Sequence, residues 1–164
     1  MGMDVHGLNP KMNKGKEKYK TYFKWDNIDW RERSGAKKEE WEKEQDKFYS
    51  EMSSYQDDNR GTYFRNSCWW WRPLWDYCRH VAPELISDKL WESGHHNDGS
   101  GLNAEKAKML GEILMENIAD GSAIQYEKTY NALIENDEHK YPFDVGNVEN
   151  FALFCIESGG FEIC

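Results

Sequence analysis

Three consecutive tryptophans, Trp69, Trp70 and Trp71, with Trp75 four residues on, set the first condition on any fold of this chain. Neighbouring side chains point to opposite faces of a strand and diverge around a helix. The run therefore cannot place every indole in one core. Some must be buried, and others must face elsewhere. The surrounding stretch, Asn59 to Trp75, reads NRGTYFRNSCWWWRPLW; it adds Arg60, Arg65 and Arg72 and has no acidic residue, in a protein of formal charge -9. Guanidinium forks match phosphate and carboxylate, and indole faces stack on bases and on guanidinium groups. Three readings stay open. The stretch is core packing alone, or a surface for an anionic, ring-bearing ligand, or a hot spot for a protein partner.

Charge divides the chain further. Lys11 to Asp58 holds 12 basic and 12 acidic residues, leaving 9 of the 21 basic and 18 of the 30 acidic residues for the rest. A neutral, charge-dense block inside an acidic protein reads as an insertion. Within it Trp41, Gln45, Phe48, Met52 and Tyr55 recur at steps of four and three, predicting a helix from about Lys37 to Tyr55. Its stripe serves either packing on the parent domain or a homodimer contact through the arm. Tyr19 to Trp30 is aromatic but shows no clear period.

Elsewhere, Met3 and Val5 alternate with Asp4 and His6, predicting a short strand. Thr62 to Trp69 reads as extended, and Pro73 fits the first turn of a helix with Leu74, Tyr77, Cys78 and Val81 on one face. Asn103 is placed to cap a helix burying Ala107, Leu110, Leu114 and Ile118. Ser122 and Gln125 read as a capping box for a helix striped by Ala123, Tyr126, Tyr130 and Leu133. After a polar link, a helix carries Val148, Phe151, Ala152 and Cys155 inward, and Ser158-Gly159-Gly160 ends it. Phe161 to Cys164 reads as an edge strand able to pair with the opening one. These elements predict an α+β fold: a small antiparallel sheet with about four to five helices from residues 1–10 and 59–164, and residues 11–58 as an inserted helical arm.

No apolar run approaches the ~20 residues of a membrane helix. The opening MGMDVHGLNP has neither the basic nor the apolar region of a secretory signal. Cys68, Cys78, Cys155 and Cys164 lack close pairing, so they are expected to be reduced, in a cytoplasmic protein without metal or cofactor. With basic residues confined to one short segment and a neutral arm, no cationic track for a nucleic-acid polymer is present.

The ligand reading names Arg65 and Arg72 for phosphates, Trp70 or Trp71 for stacking and Asn66 beside them. His95, Asn97 and Asp98, in the loop SGHHNDGSG, would close the edge. That loop is otherwise a polar turn with Asn97-Asp98-Gly99 in the bend. His95, His96, or His6 with Asp4 or Asp98, are the candidates if the protein is instead a hydrolase or nucleotide-modifying enzyme. No nucleophile elbow, phosphate loop or dinucleotide fingerprint accompanies them.

The phrases MGMDVHGLNP, TYFRN with WWWRPLW, HNDGSGL, YPFDVGNV and SGGFEI together resemble a family of short uncharacterised proteins of bacterial and bacteriophage genomes. The resemblance covers everything except Lys11 to Asp58, and its relatives run the opening motif almost directly into the YFRN phrase. Some relatives carry paired cysteines before the YPF phrase, where this chain has Asn136 to Lys140, so it implies no metal knuckle here. It implies one domain in a phage or bacterial setting and supplies no catalytic residues. The expectation is a binding protein for a small, nucleotide-like anion, serving to sequester a host signal.

Overall fold

Alternation builds the first strand. Met3 and Val5 are buried, Asp4 and His6 are not, and β1 runs over Gly2–Gly7. A computed structural model describes residues 2–135, 137 and 141–164. It divides into two units, Met1–Lys11 with Arg60–Cys164, and Met12–Asn59.

In the first unit β1 pairs antiparallel with β2 (Tyr63–Ser67) on one side and with β4 (Gly160–Ile163) on the other. β3 (Ser100–Asn103) pairs with β4, giving the order β2-β1-β4-β3. The fold is α+β, as the sequence predicts, and the opening and closing strands do pair. The expected edge position of Phe161 to Cys164 is corrected, because β4 lies inside the sheet. Phe161 and Ile163 are buried, and a buried strand needs its backbone groups paired on both sides.

Among the described residues five helices belong to this unit: α4 (Cys68–Val81), α5 (Asp88–Ser93), α6 (Ala104–Ala119), α7 (Ser122–Ile134) and α8 (Val145–Glu157). α4 begins a turn earlier than Pro73 suggests, so the expected extended run stops at Ser67 and Pro73 lies inside the helix. Trp71, Leu74, Trp75 and Cys78 fall on one helical face and are all buried. Their burial outweighs the one backbone bond that Pro73 cannot donate. Asn103 caps α6 as expected, its Oδ1 accepting from Lys106 N at 2.9 Å. Gly111 lets α6 close on α8, since a Cβ there would stand 2.7 Å from the Ala152 carbonyl oxygen.

The capping box at Ser122 is corrected. Asp120 Oδ1 accepts from Ser122 N at 2.8 Å, and Gly121 takes the N-cap position with a φ of 85°. Leu133, expected inward, is 80% exposed; Tyr126 and Tyr130 instead pack on the buried Phe143. Val148, Phe151, Ala152 and Cys155 of α8 are buried as expected. Of the polar link 136–140, residues 136 and 138–140 lie outside the described residues.

The second unit holds α1 (Lys20–Asp26), α2 (Trp30–Ser34) and α3 (Lys38–Asp58). α3 extends the predicted helix by a turn. Its stripe meets α1: Trp41 packs edge-on to Trp25 at 5.3 Å, and Phe48 and Tyr55 lie 5.6 and 5.4 Å from Tyr22. The aperiodic aromatic stretch is thus the stripe's partner inside the arm. Among the described residues no helix is long and apolar enough to cross a membrane.

Candidate functional site

α4 spaces Arg72, Asp76, Arg79 and His80 at intervals of four, three and one, which places them together on the face opposite Trp71, Trp75 and Cys78. α5 begins at a Ser87 cap, whose Oγ accepts from Leu90 N, and brings Trp91 against this face. The Trp91 indole N–H donates to Asp76 Oδ1 at 2.7 Å. The Arg79 guanidinium lies over the same indole at 4.6 Å and donates to Asp88 Oδ1 at 2.6 Å. Asp76, Arg79, His80, Pro83 and Trp91 line an open groove of about 420 Å³.

His95 follows Trp91 by four residues and meets its ring edge-on at 5.0 Å. Its Nε2 is 3.8 Å from Asp76 Oδ1, and its Nδ1 is buried with no hydrogen-bond partner. Burial holds His95 below the ordinary imidazole value; Asp76 opposes this, while the charges of Arg72 and His96 add to it. The ring is therefore neutral at pH 7. Arg72 itself is exposed and pairs with no carboxylate among the described residues.

The residues expected to form one ligand surface are divided among several places. His95 stands beside the groove against Asp76 and Trp91, and the charge of Arg72 reaches it, but neither Arg72 nor His95 is among the lining residues. Arg65 is on β2, across the sheet from Asp4, with its Nε 3.5 Å from Asp4 Oδ1. Tyr63 donates its hydroxyl to the same carboxylate, and burial first, then that bond, push the phenol up to about 12. Asn66 and Trp70 face α8, where Asn66 Nδ2 donates to Asn147 Oδ1 at 2.9 Å. Trp71 is 1% exposed, stacked on Trp75 at 5.3 Å with its N–H given to Gly94 O, so its proposed stacking role is withdrawn. Trp70 and Arg72 lie two positions apart on a helix and so point to nearly opposite sides.

The loop behaves largely as a turn. Asp98 Oδ1 accepts from Ser100 N at 2.9 Å; the Ser100 side chain first, then this amide, lower its carboxyl below the ordinary value, and Gly99 takes a φ of 83°. Asn97 Nδ2 donates to Gly2 O at 3.1 Å, binding the loop to β1. Among the described residues no three of His, Cys, Asp or Glu gather to hold a metal ion. Sequence reasoning missed Asp76, Arg79, His80 and Trp91 as members of the groove. The first three were visible as one helical face with Arg72, once the helix was extended through Pro73.

A scan against protein-family models matches none, and searches of curated proteins and of solved structures return no match.

Proposed function

We propose that the protein binds a small, nucleotide-like anion in the groove between α4 and α5. The observation that carries this is Arg72, an exposed guanidinium without a carboxylate partner among the described residues, on the same helix face as Arg79 and His80 and acting on His95. In a protein of charge -9, Arg72 and Arg79 on one helix face concentrate the attraction for an anion. Arg72 takes the phosphate or carboxylate, and Trp91 and Pro83 supply the apolar wall for a ring. Arg79 is already engaged by Asp88 and Trp91, so it orients the wall more than it captures charge. The indole role thus passes from the Trp69–Trp71 run to Trp91. Sequestration of a signal nucleotide in a phage-infected bacterial cytoplasm needs no turnover, and the resemblance to phage-encoded proteins favours that setting.

One observation favours a second reading. His95 and Asp76 stand 3.8 Å apart with the imidazole neutral, the disposition of a general base beside an orienting carboxylate. The test separates the two. Mono- and cyclic dinucleotides are added to the protein, melting is followed, and released ligand is weighed by mass spectrometry. Binding at 100 times Kd stabilises by about 2.7 kcal/mol. A melting shift that Arg72→Ala abolishes, with ligand returned unchanged, supports sequestration. Altered ligand, with turnover lost in His95→Gln, supports the enzyme. No shift with any compound, or one untouched by Arg72→Ala, removes the reading.

A further inference from the structure

A second groove, of about 380 Å³, lies where β2 and the start of α4 meet α8, lined by Asn66, Trp70, Asp144, Asn147 and Asn150. Its chemistry differs from that of the first. Among the described residues no cation lines it, and three of the five that do are amides. Trp70 is 42% exposed, so an indole face is open to a ligand.

The polar groups are held in place before anything binds. Asn147 receives a bond from Asn66 Nδ2 at 2.9 Å and gives one to Trp70 O at 3.3 Å, which fixes both of its ends. Asp144 caps α8, its Oδ1 accepting from Asn147 N at 2.6 Å and leaving the second carboxylate oxygen for another donor. Asn66 spends one amide hydrogen on Asn147 and keeps its carbonyl oxygen. Asn150, one turn beyond on α8, is exposed and makes no hydrogen bond or ion pair among the described residues. Little side-chain freedom remains to be lost on binding at Asn66 and Asn147.

We propose that this groove recognises a neutral saccharide. Vicinal ring hydroxyls each donate and accept, as do the amides of Asn66 and Asn150, while the Asp144 carboxylate accepts alone. The C–H face of a pyranose is apolar and broad enough to lie on the Trp70 indole. With no cation lining it among the described residues, the groove lacks there the attraction that would select a phosphate or carboxylate. A groove at the small end of the range for ligand sites suits one or two sugar rings. A planar base would instead be gripped between two flat faces, and the groove offers the single face of Trp70.

Saturation-transfer NMR on the full chain tests this with methyl glycosides of glucose, galactose, mannose and N-acetylglucosamine, with their disaccharides, and with adenosine and uridine as counter-probes. Transfer to sugar ring protons is expected for at least one glycoside. It should be abolished in Trp70→Ala, weakened at least tenfold in Asn150→Ala, and unchanged in Arg72→Ala. Both groove substitutions are at exposed positions, and an unchanged melting curve confirms that each variant is folded. Transfer to none of the glycosides overturns the proposal, as does transfer to the nucleosides alone or sugar binding undiminished in both groove variants. The Arg72→Ala arm keeps the fate of this proposal separate from that of the anion groove.

Discussion

In the arm, carboxylates from α3 reach back to the elements before it. In the larger unit, buried hydrocarbon does the corresponding work. Glu51 accepts from Thr21 N at 2.7 Å and Tyr22 N at 2.9 Å, the second and third residues of α1, whose own N-cap Tyr19 offers no side-chain bond. Glu44 accepts from the Trp25 indole at 2.6 Å and from Lys24 at 2.7 Å, and Asp58 from Lys18 and the Tyr19 hydroxyl. The larger unit rests on a continuous cluster from Met3 and Val5 through Trp71, Trp75 and Leu110 to Phe151 and Ile163. A helix pair with few aliphatic residues needs polar anchors to orient its rings. A sheet covered by five helices orders its side chains by close packing. The two units should therefore fail under different conditions.

The largest effect is expected from Trp71→Ala. Loss of a buried indole, its stack on Trp75 and its bond to Gly94 should cost about 3–5 kcal/mol in denaturant unfolding of the larger unit. A cost under about 1 kcal/mol would mean that Trp71 is not core, and would reinstate it as a ligand residue.

A smaller loss is expected in the arm. Glu51→Ala removes the side-chain acceptor of two first-turn amides of α1 and should cost about 1–2 kcal/mol. The loss should appear as hydrogen-exchange protection falling over residues 20–26, with β1 and β4 amides unaffected. An equal fall in both units would dissolve the contrast.

The smallest effect is a pH dependence. Lys24, then Trp25, lowers the Glu44 carboxyl below its ordinary value; Lys18, then Tyr19, does the same for Asp58. A lowered folded pKa contributes stability that is complete above the ordinary carboxylate value and disappears as pH falls through the lowered one. Both carboxylates are partly open to solvent and their ion pairs are screened, so the contribution is modest. Protection factors in α1 should decline in acid before those of α6 and α8. Arm amides that keep full protection at a pH where those of α6 have lost theirs would reverse the comparison.

Local pattern made much of this legible. The alternation of Met3 to His6, the Asn103 cap and the inward set of α8 follow from side-chain period and short-range hydrogen bonding. The errors share a cause. Pro73, Ser122 and Leu133 were judged by their neighbours in the chain, while α4's packing, Asp120 and the contacts of Phe143 decided their places. Trp71 shows the same limit. One run of three indoles carried no mark of which was buried, because its helix phase depended on where α4 began.

By itself the sequence determined the α+β class, the pairing of its opening and closing strands, the separate character of residues 11–58 and a concentration of arginine and tryptophan worth searching. These follow from periodicity and composition, which act over a few residues. Only the tertiary structure decided that β4 is central, that Trp91 and His95 reach Asp76, and that Asn66 and Trp70 share a groove with α8. Those are meetings of residues far apart in the chain, with 81 positions between Asn66 and Asn147 and more between the paired strands β1 and β4. Such meetings are set by the packing of whole elements, for which no short stretch of chain carries a signal.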